Sequence, residues 1–368
     1  MENTYIWGNS GWPYLTWDNK ELSSLLGEVR NKQGLLAGKV SLLGNELKIS
    51  AIHSAVVSEI MSSARIEGVS LDEEQVVITA GQYLSKKRFN LTKTNDISVG
   101  ATQIHLDSLY NYAKEITEER LFLWKYSLEG NKDYEPSSIG WHKPDMIINL
   151  PTSEQVERKM EYMKVPIPAD TESEMKSFLT WLNIDNPTDP VIKAGVAYLR
   201  FIAIRPFEKN NGRIARNIAN IFLSRADNMP ERIYSLSAQI ETERKQYNDI
   251  ISHTQTGNLD ITEWLRWFLY SLEKTLVNAE NALIRVLNKS KYFEKFRLVS
   301  LNERQLKMIN MLWDEFDANI TTSTWATLNK CSPDSALRDI QGLISKKMLR
   351  KENAGGRSTS YCINDENI

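Results

Sequence analysis

The chain has 368 residues, 41% of them hydrophobic and 25% charged, and a formal net charge of −2. That length supports two or three domains of ordinary globular composition, and the near-neutral balance excludes a global pull towards nucleic acid or anionic membrane, so any basic surface is local. Two cysteines, Cys331 and Cys362, form no metal or disulfide framework and suit a reducing cytoplasm.

In chain order, the opening Met-Glu-Asn-Thr lacks a basic region followed by an apolar run, so no secretory signal is expected. No apolar run approaches the roughly 20 residues of a membrane span, and a cytoplasmic location is expected. Residues 1–94 read as a helical module. An aromatic cluster, Trp7, Trp12, Tyr14 and Trp17, surrounds Pro13. Leu22, Leu25, Leu26 and Val29, then Leu35, Leu36, Val40, Leu42, Leu43 and Leu47, form an apolar pattern that predicts core or partner-helix contacts. Ser62 to Gly68 reads as a helix end, with Gly68 as its C-cap and Glu67 as a solvated carboxylate.

Residues 95–290 read as a second, larger unit. Thr117-Glu118-Glu119 before Leu121, Leu123 and Trp124 predicts a capped helix. The stretch 137–149 joins turn residues to a short β-type run and is the candidate hairpin, with His142 on its surface. Asp189-Pro190 supplies an N-cap and a first-turn proline. The helix that follows is apolar almost all round to Ile204, which predicts burial, and it ends at Arg205-Pro206. Asn210-Asn211-Gly212 then turns the chain into a helix with Ile214, Ile218, Ile221 and Phe222 on one side. Arg213, Arg216, Asn217 and Asn220 fall on the other. Two readings of this stretch stay open: a phosphate cradle at a helix N-terminus, or a loop followed by a solvated basic face. Further on, Tyr247 lies on a helix face, and Trp264, Leu265, Trp267, Phe268 and Leu269 mark another helix.

Residues 297–368 form a third unit. Gln305 to Trp313, Ser323 to Leu328, and a helix opened by Ser332-Pro333 precede a hairpin signal at Gly355 to Tyr361. Three helices and a hairpin resemble a winged helix-turn-helix. Between Lys330 and Tyr361 seven Lys/Arg face three Asp/Glu, a local net of +4. Ser335, Arg338 and Gln341, off the buried stripe of the third helix, and Arg357 in the turn are the candidate DNA contacts.

The stretch Arg205 to Arg216 resembles the signature of the Fic (filamentation-induced-by-cAMP) family, His-Pro-Phe-x-Asp/Glu-Gly-Asn-Gly-Arg-x-x-Arg. Pro206, Phe207, Asn211, Gly212, Arg213 and Arg216 match it. Arg205 stands at the catalytic histidine, Lys209 at the Mg²⁺-binding acid, and Asn210 at a glycine. Trp12 and Trp17 beside Asp18 resemble the start of an N-terminal module found on many Fic proteins. The resemblance implies a mainly α fold: a Fic-type helical core with a short β-hairpin flap, plus a C-terminal winged helix-turn-helix. It also implies ATP as nucleotide and AMP transfer to a target hydroxyl as the family activity. Phosphates would be held by Lys209, Asn210, Asn211, Gly212, Arg213 and Arg216. A protein target would be held along the 137–149 flap by strand addition, and Tyr247 and Gln255 would lie on the adenine side. Ser63, Glu67 and Gly68 fit the family's inhibitory motif, in which Glu67 would pair with Arg216 and take the place of a γ-phosphate. The catalytic base does not carry over, because an arginine at position 205 cannot accept a proton. Lys209 would repel Mg²⁺, although its ammonium could serve as a point countercharge to phosphate. Three functional readings follow: a weakened or altered transferase, a non-catalytic nucleotide-binding Fic fold, and a DNA-binding or antitoxin-like regulator.

Overall fold

The computed structural model describes residues 5–86, 91–130, 140–142, 170–314, 320–352 and 359–366. The fold is mainly α, as the sequence predicts, and it forms two compact units, Met1–Ala279 and Glu280–Ile368. Among the described residues no helix is long and apolar enough to cross a membrane.

The first unit begins with a strap. Thr16 donates its N–H to Leu259 O at 2.9 Å and accepts from Ile261 N at 2.8 Å, which ties the aromatic N-terminal segment to the core. Helix α1 (Asn19–Ser41) is capped by Asp18, whose Oδ1 accepts from Lys20 N and Glu21 N. It buries Leu22, Leu25, Val29, Leu36 and Val40. Leu35 and Leu42, expected in the same stripe, are 53% and 86% exposed. Leu42 is the C-cap residue and has left the helical period. Helix α2 (Asn45–Ile66) ends at Glu67, and Gly68 takes the left-handed φ of +71° that closes the helix.

Helices α3 (Glu73–Lys86), α4 (Ile97–Tyr110) and α5 (Glu118–Ser127) follow, then α6 (Thr171–Asn183). A Cβ on Gly100 would stand 1.9 Å from Ser127 O, so only glycine lets α4 approach the end of α5 this closely.

Helix α7 (Pro190–Ile204) is the centre. Asp189 Oδ1 accepts from Val191 N at 2.8 Å, Pro190 occupies the first turn, and every residue from Val191 to Ile204 is buried. Helix α8 (Asn211–Asp227) packs against α7 and is buried from Asn211 to Ser224, polar face included. Behind them lie α9 (Leu236–Thr242), α10 (Arg244–Gln255) and α11 (Thr262–Lys295). The indole of Trp264 donates to Gly195 O at 2.9 Å, locking the start of α11 to α7. Phe201 and Phe222 are at most 1% exposed. Each such ring contributes about 1.5–3 kcal/mol of burial, so the loop between α7 and α8 hangs from two fixed anchors.

The second unit holds α12 (Glu303–Asp314), α13 (Thr322–Leu328) and α14 (Pro333–Ser345) with three short strands, β1 (Ile320–Thr321), β2 (Leu349–Lys351) and β3 (Ser360–Ile363). The sheet runs β1-β3-β2 and is antiparallel, with Ile320 opposite Tyr361 and Leu349 opposite Ile363. Its core gathers Tyr292, Met308, Trp325, Ile340, Leu343 and Met348. The expected hairpin turn, including Arg357, lies outside the described residues, but the strands flanking it pair.

Candidate functional site

The signature loop opens where α7 stops. Arg205 takes φ 49°, in the left-handed region, and its N–H still bonds to Phe201 O at 2.9 Å. Phe207 then drops into an aromatic nest, 5.3 Å from Trp141, 6.2 Å from Phe122 and 6.3 Å from Phe201. The Asn211 side chain staples the turn: its Nδ2 donates to Phe207 O at 2.6 Å and its Oδ1 accepts from Phe207 N at 3.0 Å. Asn211 therefore shapes the loop through its side chain. Asn210 has φ 68°. Asparagine is the residue after glycine that best tolerates this region, which accounts for its standing at the family's glycine.

The carboxylate of Glu67 sits at the first turn of α8. A Cβ on Gly212 would lie 1.9 Å from Glu67 Oε1 and 3.2 Å from Arg216 Nη1, so the missing side chain is the space the carboxylate fills. Arg216 Nη2 donates to Glu67 Oε1 at 3.0 Å and to Ser63 O at 2.9 Å. Its Nε donates to Ser63 Oγ at 2.8 Å and its Nη1 to Tyr198 OH at 3.3 Å. The side chains of Glu67 and Arg216 are 4% and 2% exposed. Glu67 is thus not the solvated carboxylate that its place at a helix end suggests. The protein has put its own anion where a helix N-terminus and an arginine favour one.

The polar face of α8 is equally buried: Arg213 and Arg216 are 2% exposed, Asn220 3% and Asn217 6%. This excludes the reading of a solvated basic face. Arg213 lines an internal crevice with Glu59, Ser63, His105 and Asn217. Burial pulls its guanidinium down to about 10; Glu67 opposes that and Arg216 adds to it. One turn on, Asn217 Nδ2 donates to Arg213 O at 2.8 Å, and its Oδ1 stands 3.4 Å from His105 Nδ1. Asn220 Nδ2 donates to Glu59 Oε1 at 3.2 Å and Arg232 Nη2 donates to Asn220 Oδ1 at 2.8 Å. Glu59 also accepts from Ser235 Oγ at 2.7 Å and Ser237 N at 2.9 Å. Burial alone would raise the Glu59 carboxyl, but His105 and the serine hydrogen bonds outweigh it and hold it low. Burial pushes His105 down to about 4 against the attraction of Glu59.

The remaining sequence candidates separate. Lys209 is exposed at the loop tip. His142, expected on a flap surface, is 5% exposed, and its N–H donates to Pro206 O at 2.7 Å. It is a buried anchor of the loop because Trp141 beside it packs on Phe122 and Phe207. The rest of the 137–149 flap lies outside the described residues. Tyr247 is fully buried and its hydroxyl meets Tyr198 OH at 2.8 Å. Gln255 is 1% exposed, with Nε2 donating to Ile202 O at 3.3 Å. Neither presents a surface to a base in this conformation. On α14, Arg338 and Gln341 are exposed and Ser335 is half-buried, its N–H donating to Ser332 Oγ at 3.2 Å.

Sequence reasoning did not find Tyr198 or Lys125. Lys125 is buried on α5, pairs with Glu129, donates to Lys209 O at 3.4 Å and lies 5.8 Å over the Phe207 ring. The available signal was a lysine inside an apolar helical run.

Residues 137–223 match the Fic/DOC family and residues 5–83 match a domain of unknown function, DUF4172. A protein adenylyltransferase Fic from Drosophila mojavensis is 33% identical over 113 residues, 30% of this chain and 21% of the relative. One from Nematostella vectensis is 29% identical over 113 residues, 30% of this chain and 25% of the relative. The chain thus spans about a fifth to a quarter of the length of the curated relatives it matches. A crystal structure of a Fic family protein from Desulfovibrio desulfuricans shares the fold, with a TM-score of 0.52 at 13% identity over 95% of this chain and 97% of that one. With the signature loop at the start of α8 and the match over residues 137–223, this part of the chain is a Fic/DOC-family domain, and the chain shares the fold of a Fic family protein.

Proposed function

We propose that the chain binds ATP at the start of α8, that Glu67 occludes this site, and that its AMP-transfer chemistry is lost or altered. One observation carries the reading: the Glu67 carboxylate rests on Gly212 and Arg216, in the place where such a cradle takes a phosphate. Glu67 and a terminal phosphate compete for the same donors. Ser63 supports the occluded state by holding Arg216 through both its hydroxyl and its carbonyl. Gly68 supports it by the turn that aims Glu67 inward.

The relatives' adenylyltransferase activity needs a target hydroxyl oxygen to attack the α-phosphorus while the bond to the β-phosphate breaks and pyrophosphate leaves. A base must take the hydroxyl proton and cations must stabilise the developing charge. Arg213 and Arg216 suit the second task once Glu67 withdraws. Arg205 cannot perform the first. Lys209, an exposed cation, does not fit Mg²⁺ and serves as a countercharge to phosphate. A protein target along 137–149 belongs to the same proposal, as does a functional division into 1–94, 95–290 and 297–368. The experiment is calorimetry with ATP, with and without Mg²⁺, on the wild-type chain and Glu67→Gly. Glu67→Gly is expected to bind at least about tenfold tighter. No binding by either protein would overturn the nucleotide reading, and equal binding would overturn the role of Glu67. Labelled ATP in cell lysate reads the chemistry: label on any protein that depends on Arg213 would overturn the loss of transfer.

A second reading rests on exposed Arg338 and Gln341 on α14 within a locally basic segment: DNA contact by the C-terminal unit as a winged helix.

A further inference from the structure

A groove of about 600 Å³ opens between the strap, α6 and α7, on residues that the signature loop does not use. Tyr14, Trp17, Trp181 and Ile184 give it apolar walls, and Lys176 and Arg200 are its cations. This is the composition of a small-molecule site: largely apolar, with a few polar groups to orient the ligand.

Arg200 is the feature that needs an explanation. It is 2% exposed, and its guanidinium carbon lies 4.9 Å from the ring of Trp181, 5.3 Å from Phe178 and 5.9 Å from Trp12. Its Nε and Nη2 are buried and donate to nothing among the described residues. The carboxylate of Glu174 attracts it through space, but takes its hydrogen bond from Trp12 Nε1 at 2.8 Å. Burial pulls Arg200 down to about 10, with Glu174 and Tyr14 opposing, so it stays cationic near neutrality. Aromatic faces return part of the desolvation cost of a guanidinium. They do not satisfy in-plane N–H groups, and idle buried donors are costly.

We propose that this groove binds an amphipathic monocarboxylate, its apolar body against Trp17 and Trp181 and its carboxylate on Nε and Nη2 of Arg200. Adjacent guanidinium donors match the two oxygens of a carboxylate. The nearby negative charge of Glu174 disfavours a dianion such as a phosphate monoester. The proposal stands apart from the nucleotide reading, because no residue it uses lies in the signature loop.

The test uses the full chain with octanoate, its uncharged amide and octyl phosphate, read by calorimetry and by tryptophan fluorescence. Octanoate is expected to bind saturably, and the amide and the phosphate at least about tenfold more weakly. Ser177→Trp, at an exposed position that lines the groove, is expected to remove octanoate binding with the thermal midpoint unchanged. Arg200→Lys keeps the charge, loses the paired donors and is expected to weaken binding. Should Arg200→Lys fail to fold, the amide comparison and Ser177→Trp decide. Equal binding of octanoate and its amide, binding that survives Ser177→Trp, or no saturable binding up to about 10 mM would each overturn the proposal.

Discussion

Arg216 and Glu67 form one buried pair, yet their losses are not equivalent. Without Arg216, the Glu67 carboxylate loses its paired guanidinium and leans on the helix N-terminus and the field of Arg213. Without Glu67, Arg216 still donates to Ser63 Oγ, Ser63 O and Tyr198 OH. Removing one partner of a buried ion pair typically costs roughly 3–5 kcal/mol. Arg216→Met is expected to lie in that range and Glu67→Gly clearly below it. Urea unfolding of the two variants checks this, and equal losses would show that Ser63 and Tyr198 do not hold the arginine. Arg205 illustrates a different economy. A left-handed φ of 49° is uncommon for an arginine, whereas histidine and asparagine are enriched there. The family's histidine suits this backbone better than the residue present, so the turn is kept by the anchors around it rather than by position 205.

Helix α8 is where periodicity helped and also misled. Ile214, Ile218, Ile221 and Phe222 were legible as a core face, and they are buried. Arg213, Arg216, Asn217 and Asn220 had the spacing of a solvated face, and they are buried too. Periodicity sorts polar from apolar, but it does not say that a second polar surface waits to receive the first. That surface is Glu59 on α2 and His105 on α4, both distant in sequence, with Arg232 just past the end of α8. The network makes a pH prediction. His105 ordinarily titrates at 6.5 and is pushed to about 4 here, so the unfolded chain binds more protons than the folded one across that window. Stability from this group is complete above 6.5 and is lost as pH falls towards 4, to a total of roughly 3 kcal/mol. Glu59, Arg232 and Asn217 act on His105 directly, and Arg213 lines the same crevice. Urea midpoints at several pH values should fall across the window in the wild type, and more shallowly in His105→Gln. An unchanged slope in that variant would assign the acid sensitivity elsewhere. Motif spacing carried the pair of Glu67 with Arg216 only through the resemblance, because 149 residues separate them. Lys125 and Tyr198 escaped because each looks like a core position in its own helix.

At the scale of the molecule, charge is informative only when divided. The whole chain carries −2, while Lys330 to Tyr361 carries seven Lys/Arg against three Asp/Glu, a local net of +4. Asp339 is partly withdrawn from that count, since Arg304 and Asn302 hold it at 2.7 and 2.8 Å. These bonds, led in opposition only by its burial, keep its carboxyl below the usual range. It is a structural acid that braces α14 against α12, and it leaves Arg338 and Gln341 exposed on the same helix. DNA contact through this unit would therefore involve few phosphates. Four contacts predict a fall in affinity of about a hundredfold between 50 and 200 mM salt. Fluorescence anisotropy of the full chain on a labelled duplex measures that slope directly. Arg338→Ala should weaken binding and make the slope shallower by about one unit. Gln341→Ala, which removes no charge, should weaken binding with the slope unchanged. Binding that is absent, or indifferent to salt and to Arg338, would remove DNA as the partner of this unit and leave its exposed helix face to a protein.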